Sequence, residues 1–148
     1  MNKKVLISCR PKCGSTMVWN WFRLLSNCKA YYEPTNPILR QLIQFDPKPN
    51  PEHRHHHVNS WVSEYQNLEG FSPLFRPYFG EIDLFLSAES HSADLENLFS
   101  FLFSSPTDLV AIKDLNMLFR AGWLKKLFPE LMIVYLRRSP RLLWTSTM

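Results

Sequence analysis

The chain has 148 residues, of which 45% are hydrophobic and 20% are charged, and its net charge at pH 7 is +4. This composition excludes an extended low-complexity or disordered chain, and it provides enough apolar side chains for the core of one domain without disulfide bonds. We therefore predict a single domain over residues 1–148. The mild positive charge suits an anionic small ligand as well as a nucleic acid and does not choose between them.

The cysteine and hydropathy patterns favour a cytoplasmic protein. The spacing of the three cysteines fits no common zinc pattern, and we interpret them as reduced thiols: Cys9, Cys13 and Cys28. No apolar run in the sequence approaches the roughly 20 residues that a membrane helix needs. The apolar stretch after Lys4 ends at Ser8, which is too short for the core of a secretory signal peptide. We therefore expect a cytoplasmic location and no membrane span.

The first 34 residues follow the pattern of a strand, a loop, a helix and a second strand. The run Val5–Ile7 is typical of a buried parallel strand. From Ser15 onwards the pattern becomes helical, because apolar residues recur at steps of three and four: Met17, Trp21, Leu24 and Leu25. This helix is predicted to end near Ser26. Lys29–Tyr32 is predicted to form the second strand, closed by Glu33-Pro34.

The segment from about residue 35 to residue 91 is predicted to be an irregular insertion. Apolar spacing near Ile38 favours a short helix, and the proline-rich stretch over 46–51 predicts a solvated linker. The aromatic residues over 58–90 predict short helices and loops packed as a lid over the core. A histidine cluster lacks carboxylate or cysteine partners at ligand spacing, so we predict a solvated or substrate-facing loop and no metal site there: His53, His55, His56 and His57.

Alternation of helices and strands returns near Ser92, which begins a predicted helix. Leu109–Ile112 is predicted to be a third strand, and a further helix is stopped before Pro129. The apolar run Leu131–Leu136 predicts the clearest buried strand of the chain, and Ser139-Pro140 is typical of the start of another helix. This alternation predicts a three-layer α/β fold with a mainly parallel sheet, in which ligands bind beyond the carboxyl ends of the strands.

The predicted loop between the first strand and the first helix, Arg10–Thr16, contains the parts of an oxyanion site. Gly14 allows a close backbone approach or a positive φ, and the helix that follows offers free N–H groups to a phosphate. Lys12 adds a mobile positive charge, and Ser15 and Thr16 add hydroxyl groups. A Walker A motif needs a Gly-Lys pair, which this loop lacks, so an ordinary ATPase or GTPase is disfavoured. Taken alone, the loop fits a plain strand–helix turn equally well.

A second cluster of positive charge follows the fourth predicted strand. It contains three arginines within five residues, which form a strong anion-binding locus: Arg137, Arg138 and Arg141. Ser146 lies eight positions after Arg138, about two helical turns, and can return a hydroxyl to the same side. A solvated basic turn is the alternative for Arg137 and Arg141. Two anion sites after neighbouring parallel strands suggest one ligand with two separated acidic groups.

These segments resemble the sulfotransferases that use 3′-phosphoadenosine 5′-phosphosulfate (PAPS). Pro11–Thr16 resembles the 5′-phosphosulfate loop of this family, with Cys13 in place of the common serine. Leu109–Asp114 and Ile133–Arg141 resemble the block around the family's 3′-phosphate site. Glu33-Pro34 resembles the Glu-Pro pair of the carbohydrate-type and bacterial members.

The resemblance implies a P-loop-like fold and a sulfuryl transfer from PAPS, as co-substrate, to a hydroxyl or amine of a small-molecule, carbohydrate or lipid acceptor. It implies that Lys12 neutralises charge on the bridging oxygen and that the backbone N–H groups of residues 13–16 hold the 5′-phosphate. Arg138 and Ser146 are implied to hold the 3′-phosphate. No metal is required, because lysine and helix N-termini supply the positive charge.

Two further residues are implied in the chemistry. Glu33 follows the second strand beside the anion loop and is the predicted base that takes the acceptor's proton; an exposed turn glutamate is the alternative. Lys113 ends the third strand and resembles the family lysine near the sulfuryl group; the alternative is a strand-end lysine whose stem packs on apolar surface. His91 is a second candidate base, although no neighbour in the sequence orients it.

Two other functions stay open from the sequence: a P-loop-like nucleoside kinase or phosphotransferase, and a non-catalytic nucleotide-binding fragment. A nucleic-acid partner is disfavoured, because the basic residues cluster at strand ends and not along one face. Family members usually continue past the 3′-phosphate site, so the resemblance also implies a chain incomplete at its C-terminus, with a fragment, a truncated gene product and an unusually short member as the open alternatives. The sequence specifies neither the acceptor nor the oligomeric state.

Overall fold

The structure is a computed structural model that describes residues 2–45, 62–66, 68–81 and 84–139. Several sequence predictions fall outside these ranges, namely the proline-rich linker, the histidine cluster His53–His57 and the segment that holds Arg141 and Ser146. Those interpretations stay predictions.

Four parallel strands form one sheet in the order β2-β3-β1-β4. The strands are β1 (Lys3–Cys9), β2 (Cys28–Tyr32), β3 (Leu109–Lys113) and β4 (Met132–Leu136). Their bounds lie within two residues of the predicted ones, and the predicted α/β class with a parallel sheet is confirmed. In the register of the sheet, Ile7 and Tyr32 both lie opposite Lys113, so the carboxyl ends of β1, β2 and β3 meet at one edge.

Helices flank the sheet on both faces. They are α1 (Ser15–Arg23), α2 (Leu39–Phe45), α3 (Ala93–Phe103) and α4 (Ala121–Leu127). Val5 and Ile7 point to the face covered by α1, whereas Leu6 points to the face covered by α3 and α4. This alternation follows from the two-residue period of a strand, and it buries β1 on both sides. Within the described ranges, no helix has the length and apolar character needed to cross a membrane.

The described parts of the insertion contain short 3₁₀ helices, as predicted, over Ser63–Tyr65 and Pro77–Gly80. Its aromatic side chains form part of the core and do not only cover it as a lid. Tyr65, Phe71 and Phe79 are buried in the same apolar cluster as Leu6 of the central strand. Because aromatic side chains bury large areas, this part of the insertion stabilises the sheet itself.

The helix α1 ends at Arg23, before the predicted end near Ser26, and the apolar spacing that predicted the helix does not mark its buried face. The residues of that spacing are between 51% and 75% exposed: Met17, Trp21, Leu24 and Leu25. Ser15, Thr16 and Trp19 face the sheet instead. Trp19 Nε1 donates a hydrogen bond to the Ala30 carbonyl oxygen at 3.0 Å, and its ring meets the Tyr32 ring edge-on with centroids 4.9 Å apart. The fit of this indole against β2 therefore sets the rotation of the helix about its axis. The spacing of the apolar residues does not determine that rotation.

The prediction that β4 is the clearest buried strand is also wrong, because β4 lies at the edge of the sheet. Among the described residues it pairs with β1, and Met132, Ile133 and Tyr135 are exposed. Val134 and Leu136 pack against the apolar cluster on the α1 side. An apolar run indicates a strand that is suited to burial, but its place in the sheet depends on pairing with distant residues.

Candidate functional site

The loop between β1 and α1 has an unusual backbone. Lys12 has a φ of 65° and Gly14 a φ of 88°, both in the left-handed region. Gly14 is the N-cap of α1, and its carbonyl oxygen accepts a helical hydrogen bond from the Met17 amide at 3.1 Å. The amides of Ser15 and Thr16 therefore stand ahead of the helical ladder, at the positive end of the helix dipole. That position favours an anion.

The side chains of this loop divide into two groups. Lys12 is exposed and Cys13 is half-buried, whereas Ser15 and Thr16 are buried against the sheet. The buried hydroxyls fix the loop to the strands, and the exposed lysine can reach a ligand at the edge of the sheet.

Arg138 extends from the end of β4 to the same loop. Its Nη1 donates a hydrogen bond to the backbone carbonyl oxygen of Lys12 at 3.2 Å. This contact follows from the register of β1 and β4, which places Cys9 opposite Leu136. The structure thus brings one residue of the second positive cluster against the first. Arg137 is exposed beside it.

Glu33 and Lys113 form an ion pair where β2 and β3 end, with Lys113 Nζ donating to Glu33 Oε1. The Lys113 side chain is 2% exposed and that of Glu33 15%. The Glu33 backbone has a φ of 45°, and its amide donates to the Lys113 carbonyl oxygen at 2.6 Å. Burial lowers the pKa of Lys113, but the charge of Glu33 and the contact with Tyr32 outweigh it, so that pKa stands above its usual value. Lys113 is therefore a cation at neutral pH.

Tyr32 connects this ion pair to the anion loop. Lys113 Nζ lies 4.1 Å from the centroid of the Tyr32 ring, within the range of a cation–π contact. The Tyr32 hydroxyl lies 3.4 Å from Thr16 Oγ1 in the first turn of α1. Burial raises the pKa of Tyr32, although the nearby Lys113 charge lowers it in part, so the hydroxyl is neutral. The loop, Tyr32 and the ion pair thus form one continuous set of contacts.

Asp114 is a buried residue of this region that the sequence did not single out. Its carboxylate accepts hydrogen bonds from the Thr35 amide (3.0 Å), from Thr35 Oγ1 (2.7 Å to Oδ2) and from the Asn116 amide (2.9 Å). Burial raises the pKa of Asp114 to about 6, the charge of Glu33 adds to the rise, and these hydrogen bonds lower it in part. The spacing of Asp114 and Asn116 is a recognisable Asx-turn pattern. Its contact with Thr35 spans 79 residues and has no local signal.

His91, the second candidate base, pairs elsewhere. Its Nδ1 lies 2.8 Å from Glu96 Oε1, at the start of α3. Within the part of the chain that the structure describes, no group of three or more His, Cys, Asp or Glu side chains is placed to hold a metal ion.

Comparison of the chain with protein-family models, with curated proteins and with solved structures found no match. A functional assignment therefore depends on the residues and geometry described above.

Gly14→Ala is expected to destabilise the fold by about 1–2 kcal/mol, because an L side chain in the left-handed region carries that penalty. A Cβ at this position would meet no heavy atom within 4 Å, so the cost comes from the backbone and not from a clash. Urea denaturation measures the change.

The matched control is Gly122→Ala in α4, where a Cβ also meets nothing within 4 Å and φ is not positive. We expect Gly122→Ala to stabilise the helix by up to about 1 kcal/mol. Equal shifts of the same sign in both variants would contradict the assignment of strain to the loop.

Proposed function

We propose that this chain is a sulfotransferase that moves a sulfuryl group from PAPS to a hydroxyl or amine of a small-molecule, carbohydrate or lipid acceptor. The observation that supports this most directly is the contact between Arg138 and the Lys12 carbonyl oxygen. Because of this contact Arg138 of the second positive cluster lies beside the Lys12 loop, which supports a ligand that carries phosphates at both its 3′ and 5′ positions. The P-loop-like character of the fold is part of this proposal.

The proposed chemistry depends on positioning and on neutralisation of charge, as phosphoryl transfer does. The amides of Ser15 and Thr16 would bind the 5′-phosphate at the start of α1. The bond between sulfur and the bridging oxygen breaks, and Lys12 neutralises the charge that this oxygen acquires. Arg138, with Ser146, would bind the 3′-phosphate. This phosphate is the group that distinguishes PAPS from ATP.

Glu33 would act as the base, and Lys113 would orient it. As the acceptor oxygen or nitrogen bonds to sulfur, its proton passes to the Glu33 carboxylate. The ion pair with Lys113 holds one carboxylate oxygen, Oε1, while Oε2 accepts a hydrogen bond from Asn36 Nδ2 at 2.9 Å. Lys113, which resembles the family lysine near the sulfuryl group, would also add positive charge there.

The test combines ligand binding with catalysis. We expect 3′,5′-ADP to raise the melting temperature of the full chain and 5′-ADP to leave it unchanged. With labelled PAPS and a panel of hydroxyl and amine acceptors, Lys12→Ala is expected to lower transfer by about 10²-fold or more, because charge stabilisation of the leaving group is lost. Lys126→Ala, a change of an exposed lysine in α4, is the matched control and should keep full activity.

Two other outcomes would favour a different function. Stabilisation by 5′-ADP or ATP as strong as that by 3′,5′-ADP would favour a kinase or phosphotransferase. Selective binding of 3′,5′-ADP without any transfer would favour a non-catalytic nucleotide-binding module.

A further inference from the structure

We propose that Asp114 and Thr35 are positioning residues that hold Glu33 in the orientation in which it pairs with Lys113. This inference rests on the proposed function, in which Glu33 is the base. It assigns a role to the buried pair of Asp114 and Thr35.

Two parallel links join the segment after β2 to the end of β3. Glu33 pairs with Lys113, and two residues further along Thr35 bonds to Asp114, the residue next to Lys113. The first link is partly open to solvent, while Thr35 and Asp114 are both fully buried. The buried link therefore fixes the backbone from which the more open Glu33 side chain projects.

The Glu33 backbone needs such support. Its φ of 45° is uncommon for a residue with a side chain and persists where neighbouring contacts over-determine it. Its amide donates to the Lys113 carbonyl oxygen, and the Asn36 amide donates to the Glu33 carbonyl oxygen at 2.9 Å. Thr35, between Pro34 and Asn36, is held at both its amide and its hydroxyl by one carboxylate. The turn thus has little freedom to move Glu33 away from Lys113.

A second layer closes over this link. Asn116 donates from its amide to Asp114 Oδ1 at 2.9 Å and from Nδ2 to Thr35 Oγ1 at 3.1 Å. Gly80, in the insertion, packs against both: a Cβ there would lie 2.8 Å from the Thr35 carbonyl oxygen and 3.0 Å from Asn116 Nδ2. Because this packing excludes water, the hydrogen bonds to Asp114 are strong, and loss of one is not replaced by solvent.

The chemistry of the cluster calls for a carboxylate. Three donors converge on Asp114: the Thr35 amide, the Thr35 hydroxyl and the Asn116 amide. An ionised carboxylate accepts at both oxygens, whereas the amide group of asparagine would oppose one of these donors with its own N–H groups. A buried negative charge is costly unless hydrogen bonds compensate it, and these three donors supply that compensation.

The experiment compares Thr35→Val with Thr35→Ser in the full chain, and uses Thr107→Val as control. Valine removes the hydroxyl that bonds to Asp114, and serine keeps it. Thr107→Val also removes one hydroxyl hydrogen bond, from Oγ1 to the Leu109 carbonyl oxygen at 3.0 Å, where β3 begins, at the far end of the strand. The measurements are kcat and KM for sulfuryl transfer, the Kd of 3′,5′-ADP and the melting temperature.

We expect Thr35→Val to lower kcat by about 10-fold or more, since small misplacements of a reacting group have effects of this size. The Kd of 3′,5′-ADP should change by less than about twofold, because nucleotide binding is left intact. Thr35→Ser should recover most of kcat. The inference is overturned if Thr35→Val leaves kcat unchanged or if Thr35→Ser and Thr35→Val lower kcat equally. It is also overturned if Thr107→Val lowers the melting temperature and kcat as much as Thr35→Val does.

A readout without catalysis separates this inference from the proposed function. In ¹⁵N-labelled protein, the buried and ion-paired Lys113 ammonium group should give a protected NMR signal in wild type and in Thr35→Ser but not in Thr35→Val. If wild type neither binds 3′,5′-ADP nor transfers sulfuryl groups, the proposed function fails, and this signal still decides whether Thr35 holds the pair. An unchanged signal in Thr35→Val overturns the inference. If that variant does not fold, Thr35→Ala, which also removes the hydroxyl but places no additional methyl group beside the Asp114 carboxylate, takes its place with the same expected loss of signal.

Discussion

Lys113→Met is expected to abolish most of the activity and to be among the most destabilising single changes in the described part of the chain. It leaves the Glu33 carboxylate without its partner in a site that is mostly closed to solvent. Removal of one member of a buried ion pair costs about 3–5 kcal/mol, and we expect about 3 kcal/mol here because Glu33 keeps some contact with water. Sulfuryl transfer should fall by about 10²-fold or more, since the base is no longer oriented.

Urea denaturation and the transfer assay measure these two effects, and Lys126→Met on the exposed face of α4 is the control. The double variant Lys113→Met/Glu33→Gln should recover much of the lost stability, because no unpaired charge is then buried, but none of the activity. If Lys113→Met were as stable as Lys126→Met, the ion pair would have no structural importance.

Trp19→Ala is expected to lower the free energy of unfolding by about 3–5 kcal/mol, the usual cost of removing a buried tryptophan. Trp19 is fully buried, bonds to the Ala30 carbonyl oxygen and packs against Tyr32. Arg23 lies over the same indole, 5.3 Å from the ring. The cavity would lie directly beneath Tyr32, so the link between the anion loop and Lys113 should loosen as well.

The same helix provides the control for this prediction. Trp21 is 60% exposed, and Trp21→Ala should change stability by no more than about 0.5 kcal/mol. Chemical denaturation followed by circular dichroism compares the two variants. A loss for Trp21→Ala as large as that for Trp19→Ala would contradict the observed rotation of α1, and a larger one would mean that the helix buries its apolar spacing instead.

Much of the architecture follows from local patterns. Short apolar runs bounded by polar or turn residues predicted the four strands, and these patterns depend only on residues that are adjacent in the chain. Because parallel strands end at a common edge, the polar residues after them were expected to gather there, and Lys12, Glu33, Lys113 and Arg138 do lie at that edge.

The parts that could not be predicted depend on contacts between distant residues. The rotation of α1 is set by the fit of Trp19 beside β2, and the edge position of β4 is set by pairing with β1. The Glu33–Lys113 pair and the Thr35–Asp114 bond join residues 80 and 79 positions apart. Nothing near Asp114 in the sequence indicates that it is buried, since an aspartate after a strand is ordinarily solvated.

The order of strands in the sheet has a consequence for how the chain folds. The central strand β1 is made first, yet both of its neighbours, β3 and β4, lie more than 100 residues later in the chain. Long loops must close before these strand pairs form. The entropy cost of closing them is therefore paid before the stabilising contacts between the strands are made. During synthesis, β1 therefore cannot pair with β3, its first neighbour to be made, until more than 100 further residues have been added to the chain. A chain with this connectivity is expected to fold slowly and to depend on protection of its N-terminal segment during that interval.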